Sequence, residues 1–241
     1  MIRIEQSDPP DRFEEECRRP GAAWLTANLD GDPPSRFWRP FVMDLCRCFE
    51  NRCGYSAMWD LNGTVDHYLS RENHRQLAFE WSNFRYVSGW LNSSKQAIDQ
   101  QVLDPFQVRD EWFEILLPSL VMRLTPCVPP SIRPAAEFTL RRLHLADGDR
   151  IYEQRRIYYD YFRTENKPVE WLEPFAPILA TAVRRERVRG HLAANSSASI
   201  DEIRELCETD RDRARHLVRF WVAAGHLRAV GRGRGVRYRL N

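Results

Sequence analysis

Apolar residues recur along this chain in several short patterns, separated by proline and glycine, rather than in one long repeat. The first nineteen residues are polar, and Pro20-Gly21 predicts a turn before the apolar run AAWL. After Pro34-Ser35, Phe37, Phe41, Leu45 and Phe49 recur at every fourth position. That spacing predicts a helix with one apolar stripe, tolerant of Pro40 if it lies in the first turn. Asn62-Gly63 then marks a tight turn, TVDHYL an extended stretch, and NFRYVS over 83–88 a second one. Residues 90–99, WLNSSKQAID, predict a helix of about three turns. The local order is therefore strand, loop, strand, helix. Asp104-Pro105 interrupts the pattern ahead of WFEILLP, which predicts core strands. Helical periodicity returns over 134–145 and 149–162, and again from Pro168 to about Val188.

Gly190 to Ser199 lacks such periodicity and reads as a linker. Beyond it, Ile200, Ile203 and Leu206 mark one short helix, and Arg211–Ala224 a second with Ala214, Leu217, Val218 and Trp221 on one side. His226–Val230 and Gly235–Leu240 can pair as strands around the glycine-rich tip GRGRG. This order of helix, helix and hairpin resembles the latter part of a winged helix-turn-helix module, with a first helix available from 176–189. The resemblance implies that Arg211, Arg213 and Arg215 lie near a major groove, and that Arg232 and Arg234 on the wing reach backbone or minor groove.

Charge sharpens that picture. Residues 181–241 hold fourteen Arg against seven acidic residues, a balance of +7, whereas residues 1–180 hold 22 basic against 27 acidic groups, a balance of −5. Arginine concentrated at one end suits phosphate and guanine edges. The 241 residues, 43% hydrophobic and with eight Trp, are sufficient for a packed catalytic body plus a small module. No stretch is long and apolar enough to span a bilayer, and the first residues lack the apolar core of a signal peptide, so a cytoplasmic protein without membrane association is expected. Six cysteines are too few for a disulfide scaffold. Cys46, Cys48 and Cys53 crowd together without the CxxC pairs of a structural zinc site, so reduced thiols and no structural zinc are expected.

The chemistry concentrates in Val65-Asp66-His67, followed by Asn83, Asn92 and Lys95. These residues, in an uninterrupted VDHxL start, a WxN step and an LNxxK helix, resemble the HNH, or ββα-metal, nuclease family. The resemblance implies His67 as the general base, Asp66 and Asn92 as ligands of one divalent metal, Asn83 as the brace of the base's loop, and Lys95 as a phosphate contact. Two departures stand out. Asn92 occupies a position where many relatives carry His, and the paired CxxC knuckles are missing. An amide oxygen beside a carboxylate favours Mg²⁺, with Mn²⁺ as the alternative, over zinc. Packing by Trp59, Phe79, Trp81 and Trp90 then has to replace the knuckles. The wider run from CGYSAM through VLDPF and LPSL also looks like uncharacterised bacterial HNH proteins, extending the likeness to about residue 125.

These readings combine into an expected α+β protein: a small ββα-metal nuclease core embedded in helices over 1–189, a linker over 190–199, and a winged helix-turn-helix module over 200–241. The expected activity is metal-dependent cleavage of DNA, double-stranded by preference, to 5′-phosphate and 3′-hydroxyl ends, in restriction or defence. A single ββα centre cuts one strand at a time, which makes a homodimer compatible but not compulsory. Two rival readings are a non-catalytic DNA-binding regulator or structural protein, which leaves the grouping of Asp66, His67, Asn83 and Asn92 to chance, and an RNA endonuclease, since the proposed site does not itself demand deoxyribose.

Overall fold

The computed structural model describes residues 1–241, the side chain of Arg234 excepted. The fold is mixed α+β, built from short helices and three separate antiparallel strand pairs. It divides into two compact units. Unit 1 comprises Met1–Arg109 and Ala135–Leu145, and unit 2 comprises Asp110–Pro134 and Ala146–Asn241. Each unit is thus made of two stretches of chain. Among the described residues no helix is long and apolar enough to cross a membrane.

Unit 1 begins with a π-helical turn, Glu14–Arg18, that runs straight into α1, Arg19–Ala27. Pro20-Gly21 is therefore helical rather than a turn. Pro20 sits in the first turn of α1, where a missing N–H is tolerated. Gly21 is required for another reason: a Cβ there would lie 2.3 Å from the ring of Phe79. A 3₁₀ turn, Arg39–Phe41, takes up Pro40 and leads into α2, Val42–Cys48. Phe41, Leu45 and Phe49 of the expected stripe are buried in one cluster with Phe13, Trp38, Phe79, Trp81, Phe84 and Tyr86. Phe13 anchors this cluster by edge-on contacts to Phe41, Trp81 and Phe84, with ring centroids 5.0, 5.2 and 5.9 Å away. Against it lie β1, Gly63–His67, and β2, Phe84–Ser88, paired with Asp66 opposite Arg85 and His67 opposite Phe84. The chain leaves β2 directly into α3, Gly89–Lys95, which is two turns rather than three because Gln96 turns to positive φ. In the second stretch of unit 1, most of α4, Arg133–Arg142, returns to cover the first, and Thr139 Oγ1 accepts a 2.8 Å hydrogen bond from Leu103 N.

Unit 2 opens with the hairpin of β3, Phe113–Leu116, and β4, Val121–Leu124. It continues through α5, Asp149–Thr164, to α6, Pro177–Asn195. The expected linker is helical as far as Asn195, and Ser196 ends α6 in a left-handed conformation. Val188 and Leu192 on α6 belong to one apolar cluster with Ile203, Leu217, Trp221 and Leu227, which joins the helix to the C-terminal elements. Next come α7, Ile200–Leu206, and α8, Arg211–Ala223. Ser199 and Glu202 form a reciprocal capping box at the start of α7, and Asp210 caps α8 through the N–H groups of Asp212 and Arg213. The final hairpin pairs β5, Leu227–Val230, with β6, Arg237–Leu240. Ala198 adds a further bridge to Tyr238.

One buried carboxylate ties unit 2 together. Glu114 on β3 accepts hydrogen bonds from Arg123 Nε at 2.7 Å and from Arg185 on α6, and its Oε2 lies 2.7 Å from His226 Nε2. Burial raises its carboxyl, but the bonds from His226 and Arg123 and the charge of Arg185 outweigh that and hold it down to about 2, against an ordinary 4.5. A depressed carboxyl stabilises the folded state fully above its unfolded pKa, and loses that contribution as pH falls from 4.5 toward 2. Glu114→Gln is expected to cost on the order of 3 kcal/mol at neutral pH, measured by urea unfolding. The difference from wild type should shrink on acidification to about pH 3. A difference independent of pH would contradict this account.

Candidate active site

The polypeptide from β1 through α3 folds around a cleft of about 1020 Å³ within unit 1, whose lining includes Asp66, His67, Arg71, Arg75, Asn92 and Trp38. Asp66 and His67, adjacent at the end of β1, both line this cleft, and both are almost wholly buried. Asn92 and Lys95, three residues apart, share the face of α3 that packs on β1. Asn92 Nδ2 donates to Val65 O at 3.2 Å, and Asn92 itself remains partly exposed to the cleft.

Lys95, expected to contact phosphate, is instead fully buried. Its Nζ donates to Asp66 Oδ1 at 3.0 Å, His67 O at 2.9 Å and Tyr68 O at 3.1 Å. Three donors meet three acceptors, so no N–H is left for a substrate. The helix turns this side chain inward because the end of β1 presents a carboxylate and two backbone carbonyls that would otherwise be unsatisfied. Asp66 Oδ2 accepts a longer bond from Tyr55 OH at 3.3 Å. Burial raises the Asp66 carboxyl above its ordinary value, while the charge and hydrogen bond of Lys95 pull it back.

His67 is held between Trp38 and Phe84, edge-on at centroid distances of 4.9 and 5.1 Å. Its Nε2 lies 2.9 Å from Ala78 O. A carbonyl only accepts, so Nε2 carries the proton and Nδ1 keeps its lone pair. Burial lowers the imidazole to about 3, against the hydrogen bond to Ala78, which raises it. The ring is therefore neutral near pH 7, and burial makes it a weaker base than an ordinary imidazole.

Asn83 fixes the loop between the strands. Its Oδ1 accepts from Leu69 N at 2.8 Å, and its Nδ2 donates to Leu69 O at 2.9 Å and Leu77 O at 3.3 Å. One amide thus clasps both ends of 69–77, the segment that carries Arg71 and Arg75. Neither arginine was singled out by the sequence reading. Arg71 stacks over Trp38 and donates to Asp32 and to Pro33 O, both at 3.0 Å, and Arg75 donates to the carbonyls of Asn28 and Gly31. Arg85 and Asp104 were missed as well: they form a buried two-bond pair at 2.7 and 2.8 Å, with the guanidinium 3.8 Å above the ring of Phe106. The local signals at these positions were a loop charge and an Asp-Pro break, neither of which reveals a distant partner.

For a divalent cation the cleft offers the Asp66 carboxylate and the Asn92 amide oxygen. Asp66 retains acceptor capacity beyond its two bonds, and Asn92 spends its nitrogen, not its oxygen, on Val65. Two hard oxygens fit Mg²⁺, which keeps several waters and seldom takes an all-protein cage. No group of three or more His, Cys, Asp or Glu suited to a metal exists among the described residues. The cysteines engage elsewhere: Cys46 Sγ lies 3.5 Å from Asn51 Oδ1, and Cys53 Sγ accepts from Ser88 N at 3.3 Å. The site residues expected in the C-terminal part lie in unit 2, apart from this cleft's residues in the chain division. Arg211, Arg215 and Arg232 are exposed and Arg213 is partly so, while the side chain of Arg234 lies outside the described residues.

Lys95→Met should destabilise the protein by roughly 3–5 kcal/mol, because it strands a buried carboxylate. Adding Asp66→Asn should cost less than the sum of the single substitutions, by about 1 kcal/mol or more in denaturant titrations. Additive costs would remove the pair from its central place. In the metal-free protein, the His67 ring proton resonances should stay constant as pH falls from about 8 to about 5, given a group lowered to about 3. A midpoint near the ordinary imidazole value would contradict the burial described. Comparison of the chain with protein-family models, curated proteins and solved structures finds no match, so the cleft has to be interpreted from its own residues.

Proposed function

We propose that this protein is a divalent-metal-dependent DNA endonuclease of the HNH, or ββα-metal, type. The observation that carries the reading is the convergence of Asp66, His67 and Asn92 on one cleft, with Asn83 clasping the intervening loop and the tautomer of His67 set by Ala78 O. A phosphodiester resists hydrolysis because it repels hydroxide and because its leaving alkoxide is poor. His67 Nδ1 takes the proton from the attacking water, and burial beside Trp38 and Phe84 keeps the imidazole neutral until that moment. Asp66 and Asn92 would hold Mg²⁺, which supplies stabilisation of the charge growing on a nonbridging oxygen and on the leaving 3′-oxygen. The scissile P–O3′ bond breaks as the new P–O bond forms, and the departing 3′-oxyanion takes a proton from solvent water, giving 5′-phosphate and 3′-hydroxyl ends. Lys95 positions Asp66 and the β1 backbone from inside the protein.

Support for DNA comes from unit 2. Helices α6, α7 and α8 followed by the β5–β6 hairpin, with Ala198 bridged to Tyr238, resemble a winged helix-turn-helix module. The hairpin sets Arg228 directly opposite Arg239, both exposed. Like charges in that register repel one another unless an anion lies over them. Arg211, Arg213 and Arg215 on α8 and Arg232 at the tip are further cations that phosphates would attract, with Arg211 lying 3.6 Å from Asp201 and Arg215 donating to Asp212 at 3.0 Å in the free protein.

The test is the purified chain incubated with plasmid, linear duplex, single-stranded DNA and structured RNA, each with Mg²⁺, Mn²⁺ or EDTA. Metal-dependent DNA cleavage is expected, with at least a hundredfold loss in His67→Ala and unchanged DNA binding. Equal cleavage by wild type and H67A would refute the assignment, and preference for RNA would transfer it to that substrate. Because Val188 and Leu192 share a core with residues 200–227, arginine substitutions test binding better than truncation. Arg228→Gln with Arg239→Gln should weaken DNA binding and flatten its salt dependence by about 0.9 per lost phosphate contact. An unchanged slope would remove the hairpin from the interface.

A further inference from the structure

The cleft of unit 1 is lined by the carboxylates of Asp30, Asp32, Asp66 and Glu72 and by the guanidinium groups of Arg71 and Arg75. An anion entering a space where carboxylates outnumber cations needs a cation with an open hydrogen-bonding edge. Arg75 spends both terminal nitrogens on the protein: Nη1 donates to Gly31 O and Nη2 to Asn28 O, with the guanidinium over the ring of Trp24. It holds the 28–31 segment in place.

Arg71 differs. Its two bonds, to Asp32 Oδ1 and to Pro33 O, both leave from Nη1 at 3.0 Å. Nε and Nη2, side by side on one edge of the guanidinium, find no partner among the described residues, and neither is shut away from solvent. The same edge of Arg85 grips both oxygens of Asp104, at 2.7 and 2.8 Å. Such a fork matches two oxygens of a carboxylate or a phosphate. Trp38 holds the guanidinium 5.1 Å over its ring, and the same indole packs against the imidazole of His67 at 4.9 Å. Arg71 and His67 therefore border one indole within one cleft. Asp32 is a loose partner, because its side chain is 83% exposed against 33% for Arg71. An ion pair so open to water holds weakly. Pro33 O stays on Nη1 when the carboxylate leaves.

We propose that Arg71 is the phosphate contact of the cleft, taking two oxygens of one backbone phosphate on Nε and Nη2, and that Asp32 is a counter-charge the bound strand displaces. That the anion is a nucleic-acid phosphate rests on the nuclease reading. The anion site itself rests on the open edge of Arg71.

The experiment is titration of the full chain with thymidine 3′,5′-bisphosphate in EDTA at low ionic strength, with thymidine as the uncharged comparison. The site is read from the Arg71 Nε–H resonance and the affinity from calorimetry. Saturable movement of that resonance is expected with the bisphosphate and none with thymidine. Arg71→Gln should weaken binding by about tenfold or more. Arg71→Lys, which keeps the charge and loses the fork, should fall between R71Q and wild type. Asp32→Asn should strengthen binding by about threefold, since it removes the competing charge. Arg47→Gln, an equal loss of charge on α2 outside the cleft, should leave affinity unchanged. Equal affinity of R71Q and wild type would overturn the proposal, as would an unmoved Arg71 resonance or a D32N variant that binds no better. If R71Q does not fold, the resonance and D32N still decide. Cleavage of DNA with Mg²⁺ separates the two readings. Equal rates for wild type and R71Q at subsaturating DNA would remove Arg71 and leave the nuclease standing. Bisphosphate bound through Arg71 by a chain that cuts no nucleic acid would keep the anion site and remove the nuclease.

Discussion

The buried ammonium of Lys95 is the point on which the β1–α3 arrangement depends. Its three hydrogen bonds go to three consecutive residues, Asp66, His67 and Tyr68, and so fix both the rotation of α3 and its height along the strand. One helical turn earlier, that same placement puts Asn92 beside Val65 O. A charge with no solvent around it tolerates little displacement, because each lost bond leaves a desolvated group behind. The cost of burying two charges is thereby exchanged for a strand end with a single geometry. The lysine thereby keeps the Asp66 carboxylate in one place at the edge of the cleft.

The rest of the cleft is organised on the same principle, with buried polar groups serving as fasteners between segments distant in sequence. Asn83 fastens the ends of the 69–77 loop, and Arg75 fastens that loop to the carbonyls of Asn28 and Gly31. Arg85 fastens β2 to Asp104. Aromatic rings fill the spaces between. In unit 2, Glu114 plays the corresponding part for β3, β4, α6 and the residue preceding β5.

Much of this was legible in the sequence where the signal is local. Alternation and the Asn62-Gly63 pair marked β1, and the fourfold spacing of Phe37, Phe41, Leu45 and Phe49 marked an apolar stripe of which only Leu45 lies within α2. The bracing of the loop by Asn83 and the grouping of Asp66, His67 and Asn92 were expected from the family resemblance rather than from the order of elements, and the structure has Asn83 bonded to Leu69 and the three residues lining one cleft. The features that escaped depend on partners remote in the chain. Lys95 ends a helix of ordinary polarity, and nothing nearby says that its side chain points inward. Gly21 resembles a turn residue, yet it is glycine because Phe79, fifty-eight positions later, lies against it. Residues 190–195 lack an apolar period, but Leu192 alone anchors that end of α6 to the following helices.

The division of unit 1 into two stretches has a consequence for how the protein is made. Chain emerging from a ribosome folds as its parts become available, N-terminal parts first. Met1–Arg109 contains every residue of the cleft but not the stretch that completes its unit, which arrives only with Ala135–Leu145. Until Thr139 has emerged, Leu103 N lacks its acceptor. The intervening residues, Asp110–Pro134, meanwhile await partners on α6 and beyond: Glu114 is translated seventy-one residues before Arg185 and 112 before His226. Unit 1 therefore cannot close before part of unit 2 has been made, and its cleft is completed only once Ala135–Leu145 has followed.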